Sequence, residues 1–256
     1  ASGGSLQVAT VETLTGTPAG EQVTFSAANT TTLNGIETLI GSVSAEAITL
    51  SGPNTVTAAA LNTLIGGASV DQVTLSGANT MTVGGIETLL GSASTDLVTL
   101  SGLNTMTVSA VDTLVGSNSN ELVSLTGSTS VTVSNINTLV GAASADSIQV
   151  TLSTATTSTV AQVDTLIGSA SADLITMSGA NTVTAAAIDT LIGSASADLV
   201  NLSGATTMQV ANIDTLLGSA SAEQVTLSAA TTMTVGAINT LTGTAFAENV
   251  TVSGGG

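Results

Sequence analysis

Every ionisable side chain in this sequence is a carboxylate: 17 Asp and Glu stand among 256 residues with no Lys, Arg, His, Cys or Tyr. The acids fall into two regular series. The first is Glu21, Glu46, Asp71, Asp96, Glu121, Asp146, Asp173, Asp198, Glu223 and Glu248. The second is Glu12, Glu37, Glu87, Asp112, Asp164, Asp189 and Asp214, with Asn62, Asn137 and Asn239 in the remaining places. Oxygen-only ligands suit Ca2+, so the first series is a candidate set of Ca2+ ligands. The competing reading is that each acid caps the amides of a solvated corner. Two carboxylates can also act as acid and base, but a catalytic pair is placed once, whereas this pattern is copied along the whole chain. With no imidazole, amine or thiol to serve as base or nucleophile, the expectation is a protein that is not an enzyme.

The formal charge of −17 narrows the partners. Nucleic-acid binding depends on Lys and Arg neutralising phosphates, and anionic membrane surfaces attract the same side chains; neither partner is expected. No apolar run reaches the ~20 residues of a membrane helix, and Ala1 onward lacks the basic and apolar regions of a signal peptide. The sequence does not begin with Met, which fits a mature form, an excerpt, or a product exported by a C-terminal signal. Complete loss of Lys and Arg points to an extracellular or cell-surface setting.

The elements that position these acids follow from a repeat. Gly16, Gly41, Gly66, Gly91, Gly116, Gly141, Gly168, Gly193, Gly218 and Gly243 each follow Thr-Leu-x, at steps of 25 residues with a single step of 27. A fixed period of this length marks a solenoid. Within one unit, Val98 and Leu100 alternate with Thr99 and Ser101, the period-2 signature of a half-buried strand. Gly102-Leu103-Asn104 turns the chain. A second strand places Met106 and Val108 inward and Thr105 and Thr107 outward. A small-residue corner at Ser109-Ala110 leads to a third strand with Val111 and Leu114 inward. Three strands and three corners per unit predict an all-β, three-sided parallel β-helix of about ten 25-residue coils, running as one continuous domain over residues 1–256. The coil length suggests a right-handed winding. Six inward columns amount to ~60 buried aliphatics at ~1.5–3 kcal/mol each. The 27-residue step is read as an insertion of Ser147 and Ile148, absorbed by a bulge.

Coils stacked at ~4.8 Å would bring successive acids of one series together, each pair repelling by ~0.9 kcal/mol even in water. Bound cations would offset that repulsion. Gly193-Ser194-Ala195-Ser196-Ala197-Asp198-Leu199-Val200 resembles a degenerate form of the calcium-binding nonapeptide of RTX, haemolysin-type, proteins. The leading glycine, the acid and the apolar residue two places on match; the inner glycines are replaced by Ser or Ala. The resemblance implies a secreted bacterial surface protein with Ca2+ in its turns. A stalk segment of a Ca2+-dependent adhesin is one form of that reading.

Two further features bear on function. Thr-x-Thr recurs on the second strand, at Thr55 and Thr57, Thr80 and Thr82, Thr105 and Thr107, and Thr182 and Thr184, among others. Stacked coil on coil, these columns would resemble the ice-binding face of β-solenoid antifreeze proteins; Thr is equally a good exposed strand former. The ends match in phase. Leu6 and Val8 take second-strand positions, and Val250 and Val252 take first-strand positions, so a second copy could continue the helix head to tail; an excerpt of a longer array would show the same phase. Open contacts of this kind give filaments. The expectation is a structural rod, with itself as partner, forming a filament, matrix or surface layer.

Overall fold

The computed structural model describes residues 4–17, 20–117, 119–127, 129–142 and 147–253. Among them lie 30 strands and no helix. The fold is an all-β parallel β-solenoid of about 14 turns of ~17 residues. Inward and outward positions along the strands follow the alternation: Met106, Val108, Val98 and Leu100 are at most 3 % exposed. Thr113 faces out and Leu114 is fully buried.

The coil itself differs from the sequence expectation. Consecutive strands enter opposite sheets, so each coil holds two strands while each sequence repeat holds three. A repeat therefore spans one and a half turns. The coil has two sides, and all three corners of a repeat reverse the chain from one sheet to the other. The backbone makes this visible at the corner after the second strand. Thr10, Gly35, Ala60, Gly85, Ala110, Asn135, Gln162, Ala187, Asn212 and Ala237 all take positive φ, between 52° and 64°. Left-handed geometry at eight non-glycine residues costs roughly 1–2 kcal/mol apiece, and it turns a mild bend into a full reversal.

The chain divides into two compact units, Ala1–Thr126 and Gly127–Gly256. In the first, sheet one runs Ser5–Val8, Gln22–Phe25, Thr38–Ile40, Asn54–Ala59, Asp71–Leu75, Thr88–Leu90, Thr105–Ser109 and Leu122–Leu125. Sheet two runs Thr13–Thr15, Asn29–Asn34, Glu46–Leu50, Thr63–Ile65, Asn79–Gly84, Asp96–Leu100 and Thr113–Val115. The second unit repeats the same alternation from Thr129–Ser134 to Asn249–Val252. Val73, Leu89, Val108 and Leu125 stack as one inward line of sheet one. Successive register steps there are 16, 19 and 17 residues, whereas two repeats advance 50. The side-chain rows consequently climb two residues along the strands in every three coils.

The insertion also sits elsewhere than expected. Ile148 opens the strand Ile148–Leu152, pairs with Thr129, and is fully buried. It occupies the position that Asp96 holds opposite Asn79. The additional residues thus precede Ile148, and the acid's place in that coil is filled by a hydrocarbon. Asp146 lies outside the described residues.

Candidate functional site: polar ladders along the edges

Because a repeat is one and a half coils, neighbours within one acid series lie on opposite sheets. The two series instead interleave. Along one edge of sheet one the strand-opening positions read Glu21, Glu37, Asn54, Asp71, Glu87, Asn104 and Glu121; along the edge of sheet two they read Glu12, Asn29, Glu46, Asn62, Asn79, Asp96 and Asp112. An acid of the first series is therefore followed one rung later by an acid or Asn of the second. The uniform like-charge column predicted from the sequence does not form.

Hydrogen bonds explain each place. Asp96 Oδ1 accepts the Asn79 main-chain N–H and side-chain amide, both at 3.1 Å. Its Oδ2 accepts the Ser92 N–H at 2.7 Å and the Ser92 hydroxyl at 3.0 Å. The Asp96 N–H in turn donates to Asp112 Oδ2 at 2.8 Å. Asn54, Asp71 and Glu87 repeat this motif, as do Asn181, Asp198 and Asp214. Asn79 completes the ladder. Its Oδ1 accepts the N–H of left-handed Ala60 at 3.0 Å, and its amide also donates to Gly77 O at 2.6 Å. Asp71, Asp96 and Asp198 are at most 1 % exposed, so their carboxyl oxygens take hydrogen bonds from surrounding protein donors in place of water.

Glutamate in the same place behaves differently. Glu46 Oε1 accepts the Ser42 N–H at 3.0 Å and the Ser42 hydroxyl, and Glu223 Oε1 does the same with Ser219. The extra methylene carries the head group toward the loop. Oε2 of Glu46 and of Glu223 is left buried with no donor, as is Asn29 Oδ1 on the rung beside Glu46. Nearer the two ends of the solenoid, Glu21 and Glu248 are partly exposed. The Thr17 hydroxyl holds Glu21 below the usual carboxylate range, and the Thr244 hydroxyl and N–H do so for Glu248.

Of the ten candidate Ca2+ ligands, the nine described ones are distributed between two edges, each with at least one carboxylate oxygen taken up by N–H or O–H donors of the chain. Among the described residues no three His, Cys, Asp or Glu side chains converge as a metal site. The repeating glycine has its own cause. A Cβ at Gly91 would lie 1.8 Å from Ala110 O, and one at Gly193 would lie 1.9 Å from Asn212 O. The glycine lets one coil pass the left-handed corner of the next.

The threonine columns are divided as well, which corrects the expectation of one ice-binding-like face. Thr55, Thr57, Thr105 and Thr107 lie on sheet one, while Thr80 and Thr82 lie on sheet two. Thr182 and Thr184, in the second unit, belong to the strand Asn181–Ala186. None of these threonines stacks on its equivalent in another repeat. Thr57 sits between Thr38 and Thr74, and Thr82 between Thr63 and Thr99. Thr184 sits between Thr165 and Asn201, and Thr182 pairs with Leu199. A two-column grid of Thr-x-Thr motifs therefore does not form, because the next strand of the same kind enters the opposite sheet; the outer rows mix strands of all three kinds.

The end residues lie where expected in phase. Leu6 is 50 % exposed and Val252 75 %, while Val8 is 3 % exposed and Val250 half-buried. A recess of about 510 Å3 in Gly127–Gly256 is lined by Thr176, Gly193, Ser194, Asn212, Asp214 and Thr231, and brings together one carboxylate and no other titratable group. The residues that sequence reasoning missed are the ladder asparagines Asn54, Asn79, Asn104 and Asn181. Their signal was present: each opens a second strand 17 residues before an acid, a spacing invisible when the repeats are aligned only at 25. No protein-family model, curated protein or solved structure matches the chain.

Proposed function

We propose that the chain is an extracellular structural protein, not an enzyme, whose coils stack end to end with those of further copies to build a filament, matrix or surface layer. The observation that carries this reading is the uniform register, in which every coil meets the next through the same parallel pairing. Leu6 and Val252 are 50 % and 75 % exposed, yet their interior equivalents Met106 and Leu100 are 3 % and 2 % exposed. Exposed core positions on unpaired strand edges are aggregation-prone unless covered. The internal register admits a second copy as the cover. By the internal register, Leu241 would meet Val8 of the next copy and Val250 would meet its Leu14. The Glu248 N–H would find the incoming Glu12 carboxylate, as Asp96 finds Asp112. More repeats of the same kind would continue the solenoid through the same pairing.

The resemblance to calcium-binding nonapeptides rests on a glycine and an acid that both have internal roles here, so the reading leans on self-association and leaves Ca2+ as a stabiliser to be tested. Electron microscopy of the chain with and without millimolar Ca2+ is the experiment. Filaments, absent in Leu14→Asp and Val252→Asp variants that retain the parent's circular dichroism, are expected. Separate particles from the parent chain in both conditions would defeat the reading.

A further inference from the structure

The described acids all lie on the edges, which leaves the broad faces bare of charge among the described residues. In Ala1–Thr126 the outward positions of sheet one carry only Thr, Ser, Gln, Ala, Ile and Leu, among them Thr24, Ile40, Thr57, Leu90, Thr107 and Leu122. A chain of formal charge −17 thus presents a face with no ionisable group on it. We propose that this face docks against the same face of a second copy, so that the molecules associate side by side as well as end to end.

Three observations favour a second copy as the occupant. First, burying this surface removes no carboxylate from water, whereas a charged partner would lose its own hydration against hydroxyls that offer no counter-charge. Second, the face has relief that fits itself. One oblique row runs Thr38, Thr57, Thr74 and Leu90, and the row beside it runs Gln7, Thr24 and Ile40. Each such aliphatic stands beside a small residue: Ile40 beside Ala59, Leu90 beside Ser109. Ridge beside notch is the arrangement a two-fold, self-complementary contact requires. Leu122, 37 % exposed, adds a further ridge. Third, the area suffices. Eight strands of about four residues cover roughly 500 Å2, so two copies bury ~1,000 Å2, the threshold of a specific interface. Facing sheets would then sit ~10 Å apart with their side chains interdigitated.

The test separates this contact from end-to-end stacking by using the full chain with both ends blocked, Leu14→Asp and Val252→Asp. Sedimentation equilibrium from micromolar to millimolar protein, at 0.15 M and 1 M NaCl, should report a dimer that tightens with salt as the edge charges are screened. Adding Leu90→Glu and Leu122→Glu should weaken it at least tenfold, whereas Leu103→Glu, in a corner turn, should leave it unchanged. A strictly monomeric end-blocked chain overturns the proposal. So does a dimer equally sensitive to the corner and the face substitutions. If the chain stays monomeric but shapes growing ice, the face binds ordered water and not a second copy, and the proposal falls. Filament formation by the unblocked chain is unaffected by any of these results.

Discussion

Asp96 stands among a main-chain N–H, an asparagine amide and a serine that all point at it, and removing it strands every one of them. Asp96→Ala should lower the unfolding free energy by about 3 kcal/mol, read as a shift of the urea midpoint with unchanged slope. The neighbouring case has the opposite sign. Glu46 keeps a buried Oε2 without a donor and Asn29 keeps a buried Oδ1 without one; the shorter Glu46→Asp would draw the head group back toward the Asn29 amide, as at Asn54 and Asp71. A gain of about 1 kcal/mol is expected, and a loss would refute this account of why the two acids differ. Two partly exposed carboxylates contribute to the acid response. Glu21 and Glu248 are held below the ordinary value of 4.5 by Thr17 and Thr244. A depressed native value stabilises the fold above that pH and gives the stability up as pH falls below it. Solvent screening keeps the slope shallow. Thr17→Val with Thr244→Val should flatten the decline of thermal midpoint as pH falls below 4.5; an unaltered slope would assign the response to other groups.

At the scale of the strand, the coil that carries Ile148 tests the ladder by its own exception. Ile148 stands where an acid stands elsewhere, and its partner is Thr129 where Asn79 or Asn181 would be. Both members of the pair have changed together, removing the carboxylate and the amide that would address it. Ile148→Asp should destabilise by several kcal/mol, because the buried carboxylate gains no side-chain amide; Thr129→Asn added to it should recover part of the loss, giving a favourable coupling in a double-mutant cycle. Equal losses with either residue at 129 would separate the two positions. This coil also marks how far the sequence could be read. Alternation of Val, Leu and Thr made the strands and their inward faces visible, down to Met106 and Val108, because period 2 is a local property. The number of strands per coil is not local. It depends on whether Ala110 bends or reverses the chain, and a small residue at a left-handed φ of 54° looks the same in sequence as one in a gentle corner. Taking the repeat for the coil then placed the acids in one column, stacked the Thr-x-Thr motifs on each other, and hid the asparagines whose partners lie 17 residues away.

At the scale of the molecule, three strands to a repeat and two to a coil never come into step after a single repeat. Thr24 and Thr107 share sheet one, about five rungs or ~24 Å apart. Inserting one extra 25-residue copy of the repeat, beginning at Gly41, between them leaves every local contact as it was but moves the second residue to the other sheet; inserting two copies returns it. Spin labels at Thr24→Cys and Thr107→Cys should report that change of side after one insertion and its reversal after two, with the melting behaviour preserved in both. The mismatch acts as a parity bit written into the fold. A lineage that grows or shrinks such an array by odd numbers of repeats exchanges what its two faces display, with no substitution and no cost in packing, while even changes alter only length.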